Sequence, residues 1–432
     1  AAEADKDALR KQLSREIGQA KKRNEDCAPL IDQVSDLSSE IKALKAKQEQ
    51  ATEKLQGMLS LSSSQTEALS STPRHFSDAS ANQPAVNHTV ENFTVSQCHE
   101  PKEWQNFVDA CGHAHLYHDA RWHSLIERNF GQQTYPLVCY DHQGNITGVM
   151  PLIHLQSRLF GSFAVSIPYF NYGGPLANDP AVENLLMTHA AELCKEFDLS
   201  HMEIRETAPR DGWLCSQKKV SMVLKLPGAD DALDKQLGSK LRAQVKRAAG
   251  HDLVVTTGND ARHVKDFYAV YSHNMRDLGT PAYGLAFFQD IAKTFSEQCF
   301  VTVVRQGNKT LAAGFLLGYQ DKLEIPWASS LRTHNHLGAN MLMYRAVLSE
   351  AIKRGYDFFD FGRSTRDAST YKFKKQWGAT EYPLYWHYWT QENKLPEINP
   401  DNPKYKLVIA AWQRLPVPVT RMIGPWISRN LP

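Results

Sequence analysis

The sequence lacks a paired-cysteine motif. Its seven cysteines are scattered, and none of them forms a C-x-x-C arrangement with another. This spacing disfavours a zinc ribbon and a disulfide framework, because both are built from recognisably spaced cysteines. A reducing, cytoplasmic location fits this pattern best. The cysteines are Cys27, Cys98, Cys111, Cys139, Cys194, Cys215 and Cys299.

Long apolar runs and an excess of one charge are also missing. No apolar stretch reaches the roughly 18 to 20 residues that a membrane-spanning helix needs, and the N-terminus is polar and charged, unlike a signal peptide. The 49 lysines and arginines nearly balance the 47 acids, for a net charge of +2. This balance argues against nucleic-acid binding by overall charge, so a polyanion site must be local. Because residue 1 is not methionine, we expect a segment upstream of it.

The N-terminal segment has a heptad pattern. Apolar residues recur at alternating steps of three and four from Leu30 to Leu44, and a shorter seam runs from Leu13 to Ala20. Pro29 lies between the two seams, where it can start a helix but not continue one. We therefore predict an antiparallel coiled-coil hairpin over residues 1–60, followed by a flexible linker over 61–91, which is rich in Ser, Thr, Asn and Pro.

The stretch SREIGQAKKRNEDCAPLIDQVSDLSSEIKAL resembles the coiled-coil arm of bacterial seryl-tRNA synthetases. The resemblance covers about 50 residues and implies that the arm grips tRNA. The implied contacts are Lys21, Lys22 and Arg23, near the predicted tip. The alternative is a coiled coil for dimerisation or spacing, because charged heptads resemble one another widely.

A longer pattern occurs twice. Residues 135–155 and 300–320 both read as strand, glycine turn and strand, with Gln-Gly-Asn-x-Thr at each turn. Each unit is followed by a predicted helix, near 181–197 and 340–354, and then by a short strand, at 202–206 and 357–361. Predicted helices also precede each unit. The repeated order indicates an internal duplication.

Helices, a three-stranded meander, a helix and a strand follow one another in the order of the GNAT N-acyltransferase fold. We therefore predict an α/β (α+β) protein with two tandem GNAT-like domains, at 92–228 and 229–392. Residues 393–432 form a C-terminal extension, which either packs on the body or lies on a membrane surface through its mixed apolar and basic residues.

Acetyl-CoA is disfavoured as the donor. GNAT enzymes that use it hold its pyrophosphate on backbone N–H groups of a glycine-rich turn that opens the central helix. The equivalent turn here is RTHNHLGANMLMYRAV, in which Arg332 and Gly338 are present but the spacing is wrong and the second glycine is missing.

Residues 92–425 resemble the FemAB family of tandem-GNAT transferases, which add amino acids from aminoacyl-tRNA to cell-wall precursors. The branch associated with exopolysaccharide and PEP-CTERM/exosortase systems in Gram-negative bacteria is the most similar. Family members carry their helical arm inside the second domain, whereas here it is N-terminal, so the docking of tRNA on the arm does not transfer directly. The segments that carry the resemblance are HLYHDARWHSLIERNFG, GVMPL, SIPYFNYGG, SKLRAQVKRA, NMRDLGTPAYG, PWASSLRTHNHLGANMLMY and FDFGRSTRDASTYKFKKQWGATEYPLYW.

The resemblance points to the second domain's last segment as the aminoacyl-tRNA channel. The family's Phe-Lys-x-x-Phe-Gly element corresponds here to residues 373–378, with Trp377 in place of the second Phe. An aminoacyl ester is already activated, so its transfer to an amine requires positioning, proton removal and oxyanion stabilisation but no covalent nucleophile. We therefore expect Lys374 and Arg363 to hold phosphate or the developing oxyanion.

Further residues of the segment 359–386 are expected to contact the substrates. Phe373 and Tyr371 are expected to stack on a terminal adenine, and Asp360 or Asp367 to orient the amine. The alternative for the lysines of this segment is simple solvation of a loop.

Further substrate contacts are predicted elsewhere. The aromatic loop 168–174 is expected either to line an acceptor pocket or to pack between the domains. Residues 276–283 have the same two alternatives. The basic helix 239–248 is expected to contact RNA or phosphate, or to be a solvated face. The candidates in these segments and in 326–344 are Tyr169, Asn171, Tyr172, Lys240, Arg242, Arg276, Tyr283 and Trp327.

The histidine-rich segment CGHAHLYHDARWH matches no standard zinc spacing, so we predict no metal there. The preferred hypothesis is a cytoplasmic transferase, peripheral to the inner membrane, that needs no cofactor. It moves an aminoacyl group, with serine suggested by the arm, from aminoacyl-tRNA to an amine of a cell-envelope or exopolysaccharide precursor. The alternatives are a tRNA-independent N-acyltransferase acting on a sugar, and a non-catalytic tRNA- or glycan-binding scaffold. A homodimer through the coiled coil is also compatible with the sequence.

Overall fold

A computed structural model describes residues 89–90, 92–157, 161–396 and 403–431. The chain divides into two units, Ala1–Gln83 and Pro84–Pro432. The predicted coiled-coil arm, with Lys21, Lys22 and Arg23, lies outside the described residues. The fold therefore concerns the second unit.

The first half of this unit begins with two strands, which are followed by two helices and then by a strand-rich region that contains one long helix. Its elements are β1 (Thr89–Val90), β2 (Phe93–Gln97), α1 (Pro101–Ala110), α2 (Arg121–Phe130), β3 (Gln133–Thr134), β4 (Leu137–Asp141), β5 (Ile146–Met150), β6 (Ile153–Ser157), β7 (Gly161–Val165), β8 (Leu176–Ala177), α3 (Pro180–Glu196), β9 (His201–Glu206) and β10 (Leu214–Ser216).

The second half has the same character and ends in a pair of helices. Its elements are β11 (Lys219–Lys225), α4 (Asp230–Gln236), α5 (Ser239–Ala249), β12 (Val254–Gly258), α6 (Ala261–Leu278), α7 (Leu285–Thr294), β13 (Cys299–Gln306), β14 (Lys309–Tyr319), β15 (Lys322–Ser330), α8 (Ala339–Lys353), β16 (Phe358–Thr365), α9 (Ser369–Gln376), β17 (Thr380–Pro383), β18 (Tyr385–Thr390), α10 (Pro403–Arg414) and α11 (Val417–Ser428).

The predicted duplication is visible at its two glycine turns. Gly144 joins β4 to β5 and Gly307 joins β13 to β14, and both have positive φ, at 82° and 55°. Glycine adopts this left-handed conformation without a steric penalty, which explains the repeated Gln-Gly-Asn. The helices and strands predicted around each turn are present, so the predicted α/β class with tandem GNAT-like sheets is confirmed.

The two halves exchange strands. One seven-stranded sheet has the order β12-β13-β14-β15-β16-β11-β17, so β11, which precedes the predicted division between residues 228 and 229, lies among strands that follow it. A six-stranded sheet has the order β10-β18-β9-β7-β6-β3, so β18 lies among strands of the first half. A third sheet of five strands, β1-β2-β4-β5-β8, completes the first half. The predicted division at residues 228 and 229 stays a prediction, and the exchange ties the two halves together across it.

A single aromatic core spans both halves. Trp122 and Phe170 of the first half pack in the same buried cluster as Phe288 and Phe315 of the second. The rings of Phe170 and Trp327 lie 5.7 Å apart in an edge-on arrangement, which aromatic pairs prefer. Burial of these large rings fixes the position of one half against the other and leaves a defined cleft between them.

The central parallel strands diverge at the centre of the second half. β15 and β16 pair only from Lys322 with Phe358 to Glu324 with Asp360. Beyond this point, β15 continues with Pro326, whose backbone lacks an N–H donor. The two strands therefore leave an opening beyond Glu324 and Asp360. None of the helices in the described ranges combines the length and apolar character that crossing a membrane requires.

Candidate functional site

The divergence of β15 and β16 opens into a pocket of about 390 Å³ between the two halves, here called the interdomain pocket. Its walls come from the loop after β7, the end of α6, the strands β15 and β16, helix α9 and the C-terminal end of the chain. Six residues predicted as site residues line it: Tyr169, Asn171, Tyr283, Trp327, Arg363 and Lys374. The structure thus brings together candidates from four separate sequence segments.

Lys374 lies on α9 and has only 8% of its surface exposed. Its ammonium group donates hydrogen bonds to the backbone carbonyls of Gly362, at 2.9 Å, and Arg363, at 2.8 Å. Gly362 has φ = 74°, which turns its carbonyl in a way that other residues rarely allow. Burial lowers the pKa of Lys374 to about 8, and nearby Arg363 adds to this, while Asp360 and Glu324 oppose it. The lysine can therefore act as a cation or give up a proton near neutral pH.

Asp360 is held from three sides. Ser221 and the backbone N–H of Gly362 each donate a hydrogen bond of 2.7 Å to one of its oxygens, and Tyr172 donates to the other. The carboxylate is almost completely buried behind the wall of the interdomain pocket. It joins β11, β16 and the loop after β7. The prediction that Asp360 orients the amine stays a prediction, and the geometry adds that this carboxylate fixes the turn on which Lys374 rests.

Glu324 is a site residue that was not predicted from the sequence. This carboxylate lies on β15, is buried, and accepts a hydrogen bond of 2.6 Å from Tyr117 and a longer one of 3.4 Å from Asn171. Burial, together with the adjacent carboxylate of Asp360, raises the pKa of Glu324 to about 8. A carboxyl group with this pKa can exchange a proton near neutral pH. The sequence signal was a single acid in the otherwise apolar strand LEIPWAS.

Glu324 also lines a second pocket. This histidine pocket has a volume of about 340 Å³ and includes His113, His115, His118 and Lys322. Tyr117 and Tyr172 line it as well. Glu324 therefore lines both pockets and can contact groups in either one.

Arg363 lies at the opening of the interdomain pocket, where its side chain meets solvent. Its guanidinium carbon is 5.2 Å from the ring centre of Trp386 on β18, and that of Arg205 is 4.6 Å from the same ring. The exchanged strand β18 thus supplies the aromatic surface on which both arginines rest. An arginine placed in this way can offer its planar donors to phosphate or carboxylate.

Phe373 faces a different space from Lys374. It lines a pocket of about 360 Å³ at the N-terminus of α8, here called the helix-end pocket, together with Asn340 and Gln376. Gln244 of α5 also lines it, and its side-chain oxygen is buried without a hydrogen-bond partner among the residues that the structure describes. Unpaired backbone N–H groups at a helix N-terminus favour anions. The short helix α9 therefore separates two candidate binding spaces.

Two predicted substrate-binding residues, Tyr371 and Trp377, contact other side chains of the protein. The hydroxyl of Tyr371 donates a hydrogen bond of 2.6 Å to Glu381, and its ring is buried. Trp377 is buried in the core of the second half, beside Tyr344 and Phe373. Neither residue lines the interdomain pocket.

Three predicted basic contacts lie away from this pocket. Arg276 donates to Asp277 at 2.7 Å and to the carbonyl of Leu415 at 2.9 Å, which attaches α6 to the C-terminal helices. Lys240 and Arg242 are exposed on α5, and Arg242 also donates to carbonyls near the end of α4. Because Gln244 of the same helix lines the helix-end pocket, α5 forms a basic border to that pocket.

The histidines of the segment 111–123 lie in the first half, and two of them, His118 and His123, contact other residues of this half. His118 lies 3.0 Å from the carbonyl of Gly174, and burial lowers its pKa to about 4. His123 packs edge-on against Trp104, and burial lowers its pKa to about 4 as well. Within the described ranges, no group of His, Cys, Asp and Glu has the arrangement of a metal site.

Two family models match the sequence. The model of the acetyltransferase (GNAT) domain matches residues 236–375, and that of the seryl-tRNA synthetase N-terminal domain matches residues 5–61. A UDP-N-acetylmuramoylpentapeptide-lysine N(6)-alanyltransferase from Weissella viridescens is 26% identical over 165 residues, which are 37% of this chain and 48% of that protein. The chain thus spans about half the length of this curated relative.

The fold comparison agrees with these matches. The crystal structure of FemX aligns with a TM-score of 0.53 and 13% identity, over 73% of this chain and 99% of FemX. The two halves therefore form a tandem GNAT fold. Within that class the fold is FemAB-like, and a seryl-tRNA synthetase N-terminal domain precedes it in the sequence. The predicted resemblances to the FemAB-like fold and to the seryl-tRNA synthetase arm are confirmed, whereas the exopolysaccharide and PEP-CTERM branch stays a prediction. The GNAT match together with the alanyltransferase relative supports the prediction of an acyltransferase.

Proposed function

We propose that the protein transfers an aminoacyl group from aminoacyl-tRNA to an amine of a cell-envelope precursor. The reaction would take place in the interdomain pocket, in the cytoplasm beside the inner membrane. The observation that carries the proposal is the pair of Lys374 and Glu324 at this pocket, both buried and both with a pKa of about 8. The similarity to a muramoylpentapeptide alanyltransferase favours a peptidoglycan precursor as the acceptor class, with exopolysaccharide precursors as the alternative.

The chemistry requires little beyond these groups. The acceptor nitrogen attacks the ester carbonyl, the new C–N bond forms, and the C–O bond to the ribose breaks. The amine loses a proton and the departing ribose oxygen takes one up, so the overall step consumes no additional reactant. We assign oxyanion stabilisation to the Lys374 ammonium, which two carbonyls hold in place. Glu324 is assigned the transfer of the proton, because its carboxyl group titrates near neutral pH.

The donor end is assigned to the helix-end pocket. The unpaired oxygen of Gln244 and the ring of Phe373 are suited to a nucleotide base, and the N-terminus of α8 is suited to its phosphate. Arg363 would hold a second phosphate or the carboxylate of the acceptor. Aminoacyl-tRNA is proposed rather than acyl-CoA, because the turn before α8 lacks the second glycine of a pyrophosphate loop.

The match of residues 5–61 supports the choice of tRNA as carrier. Lys21, Lys22 and Arg23 are proposed to contact its backbone. Serine is proposed as the amino acid because the matching domain is that of seryl-tRNA synthetases.

The decisive experiment incubates the full chain with radiolabelled aminoacyl-tRNAs and an envelope-precursor extract. We expect label to move from one aminoacyl-tRNA to an amine-bearing precursor, and the K374M variant to slow this transfer about 10²- to 10³-fold. A parallel reaction with labelled acetyl-CoA tests the N-acyltransferase alternative. Transfer from acetyl-CoA alone, or binding of tRNA and precursor without transfer, would contradict the proposal.

A further inference from the structure

The C-terminal helix α11 packs with its small residues inward and its large apolar residues outward. Thr420, Gly424 and Ser428, at steps of four, are buried against the body. Met422 and Trp426 are 72% and 59% exposed. A surface helix of a globular protein normally buries its large apolar stripe, so this orientation is reversed.

Contacts on the inner face fix this orientation. A side chain added at Gly424 would lie 3.0 Å from the carbonyl of Ala282, so the helix backbone approaches the body closely. Ser428 donates a hydrogen bond of 3.3 Å to the same carbonyl. Arg421 donates to the hydroxyl of Ser272 at 2.7 Å. The helix cannot rotate to bury Met422 and Trp426 without breaking these contacts.

Helix α10, which is attached to α6 as α11 is, adds further exposed apolar side chains. Val408 is 66% exposed and Ile409 is also exposed, while Trp412 anchors the helix in the body. Gln413 donates a hydrogen bond of 3.1 Å to the carbonyl of Asp277 on α6. Of the eight large apolar side chains that are exposed in the described part of the chain, four belong to α10 and α11. Apolar exposure is thus concentrated on this helix pair, which suggests an interaction surface.

The C-terminal segment that contains α10 and α11 is also basic. Residues 403–432 contain five lysines and arginines and no aspartate or glutamate, whereas the whole chain has a net charge of only +2. Arg414 and Arg429 are exposed, and the guanidinium of Arg429 lies 6.0 Å from the ring centre of Trp426. A tryptophan beside an arginine is a typical arrangement at the boundary between lipid headgroups and acyl chains.

We propose that this surface, formed by Val408, Ile409, Arg414, Met422, Trp426 and Arg429, binds the face of a bilayer that contains anionic lipids. The apolar side chains would enter the boundary region, and the arginines would contact lipid phosphates. Three of the four apolar side chains are aliphatic, which favours lipid over RNA, because RNA binding relies on aromatic stacking.

The C-terminal end of α11 and the residues that follow it border the interdomain pocket. Ser428 and Leu431 line the interdomain pocket, and the carbonyl of Arg429 accepts a hydrogen bond of 3.2 Å from Tyr169. A bilayer on the outer face would therefore place the pocket next to lipid. This consequence rests on the proposed function, and it is the arrangement that a lipid-linked acceptor needs.

The test measures co-sedimentation of the full chain with vesicles of phosphatidylglycerol and phosphatidylcholine, and with vesicles of phosphatidylcholine alone. We expect binding to the anionic vesicles that weakens as salt is raised. The M422S/W426S double variant should reduce the partition coefficient about ten-fold or more, because two large apolar side chains no longer enter the lipid. The R414Q/R429Q double variant should remove most of the salt dependence of vesicle binding, because these arginines would contact the lipid phosphates.

The control variant is V254S/Y382S, which removes two other exposed apolar side chains, on β12 and β17. It should bind vesicles like the wild type, and all variants should keep the wild-type melting temperature. The proposal is wrong if the wild type does not bind the anionic vesicles, if M422S/W426S binds them equally well, or if this variant loses tRNA binding instead. The vesicle-binding assay needs no tRNA and no acceptor. A failure to observe the proposed aminoacyl transfer would therefore not change the result of the vesicle-binding assay.

Discussion

Glu324 and Asp360 are the last paired residues of the parallel strands β15 and β16, and each carboxylate accepts a hydrogen bond from a tyrosine of the first half. The two acids therefore lie side by side where the sheet opens. Their mutual repulsion adds to burial in raising the pKa of Glu324. Tyr117 and Tyr172 connect this pair to the opposite half, so the site is complete only when both halves are in place.

The bond between Tyr117 and Glu324 can be tested with Y117F. This change keeps the ring, which stacks on Phe170 with centres 4.2 Å apart, and removes only the hydroxyl. Because that hydroxyl stabilises the ionised carboxylate, we expect the pKa of Glu324 to rise above about 8 and the pH profile of kcat/KM to shift toward higher pH. Loss of the bond should also cost about 1 to 3 kcal/mol of stability. Pre-steady-state rates and urea unfolding across pH measure both effects, and the exposed Tyr382 provides the control Y382F. An unshifted profile would remove Glu324 from the proton transfer.

Lys374 is predicted to be indispensable for transfer. K374M preserves much of the side-chain volume but removes the ammonium that the carbonyls of Gly362 and Arg363 hold. We expect kcat to fall about 10²- to 10³-fold, as for loss of an oxyanion donor. The matched control is K372M, since Lys372 is on the same short helix but exposed. Single-turnover assays with saturating donor give the comparison, and equal rates for K374M and K372M would contradict the assignment.

Arg363 is predicted to act mainly in binding. R363M should raise KM for a phosphate-bearing substrate about ten-fold with a smaller change in kcat, because the charge-assisted contacts are lost. R363K should recover only part of the affinity, since lysine lacks the planar group that lies over Trp386. The control is R366M, three residues along the chain, where the arginine pairs with Glu381 at 3.3 Å. Steady-state kinetics on the four proteins decide whether the planar group matters.

Local sequence patterns predicted much of the fold. The two Gln-Gly-Asn turns were recognisable because a glycine with positive φ defines a hairpin within a few residues. The strand exchange was not predictable in the same way. β18 pairs Tyr385 with Glu206, a contact far apart in sequence that no local pattern encodes.

The site shows the same limit. The sequence placed Lys374 and Arg363 together through one motif, and they do line one pocket. It also grouped Phe373 with Lys374, although neighbours on a helix point about 100° apart and these two line different pockets. Glu324 could not be predicted as a site residue from the sequence. Its position at a cavity becomes visible only in the structure, where β15 and β16 diverge beyond it.

The N-terminal arm is predicted to supply tRNA affinity. In the full chain, K21Q/K22Q/R23Q should weaken tRNA binding about ten-fold and reduce its dependence on salt, because fewer phosphates are neutralised. The matched control is K42Q/K45Q/K47Q, which removes three positive charges from the second predicted helix of the arm. Filter binding at several salt concentrations measures the slopes. If both triple variants bind like the wild type, the arm does not contact tRNA through its tip.

Glu324 and Lys374 also predict an unusual dependence of stability on pH. Glu324 has a pKa of about 8 in the folded protein against an ordinary value of 4.5, so between these values the folded state holds a proton that the unfolded state has lost. The free energy of unfolding should therefore fall as pH rises from about 4.5 to 8. Lys374 has a folded pKa of about 8 against 10.5, so between about 8 and 10.5 the unfolded state holds the extra proton. There, stability should rise with pH, and the two groups together place a minimum near pH 8.

Two variants test separately the fall in stability below pH 8 and the rise above it. E324Q should remove the share of the decline below pH 8 that Glu324 contributes, and K374M the share of the rise above pH 8 that Lys374 contributes, each a few kcal/mol at about 1.4 kcal/mol per pKa unit. Buried Glu206, whose pKa is raised to about 7, adds to the decline below pH 7 in the wild type and in E324Q alike. Buried His118 and His123, with pKa values lowered to about 4, make stability rise between about pH 4 and 6.5, so the informative quantity is the difference between wild type and variant. Urea unfolding followed by circular dichroism from pH 5 to pH 10 provides it, with E392Q as an exposed control. If the wild type and E324Q show the same decline between pH 6.5 and 8, Glu324 is ionised in the folded protein and cannot serve as the group that exchanges a proton with the acceptor amine.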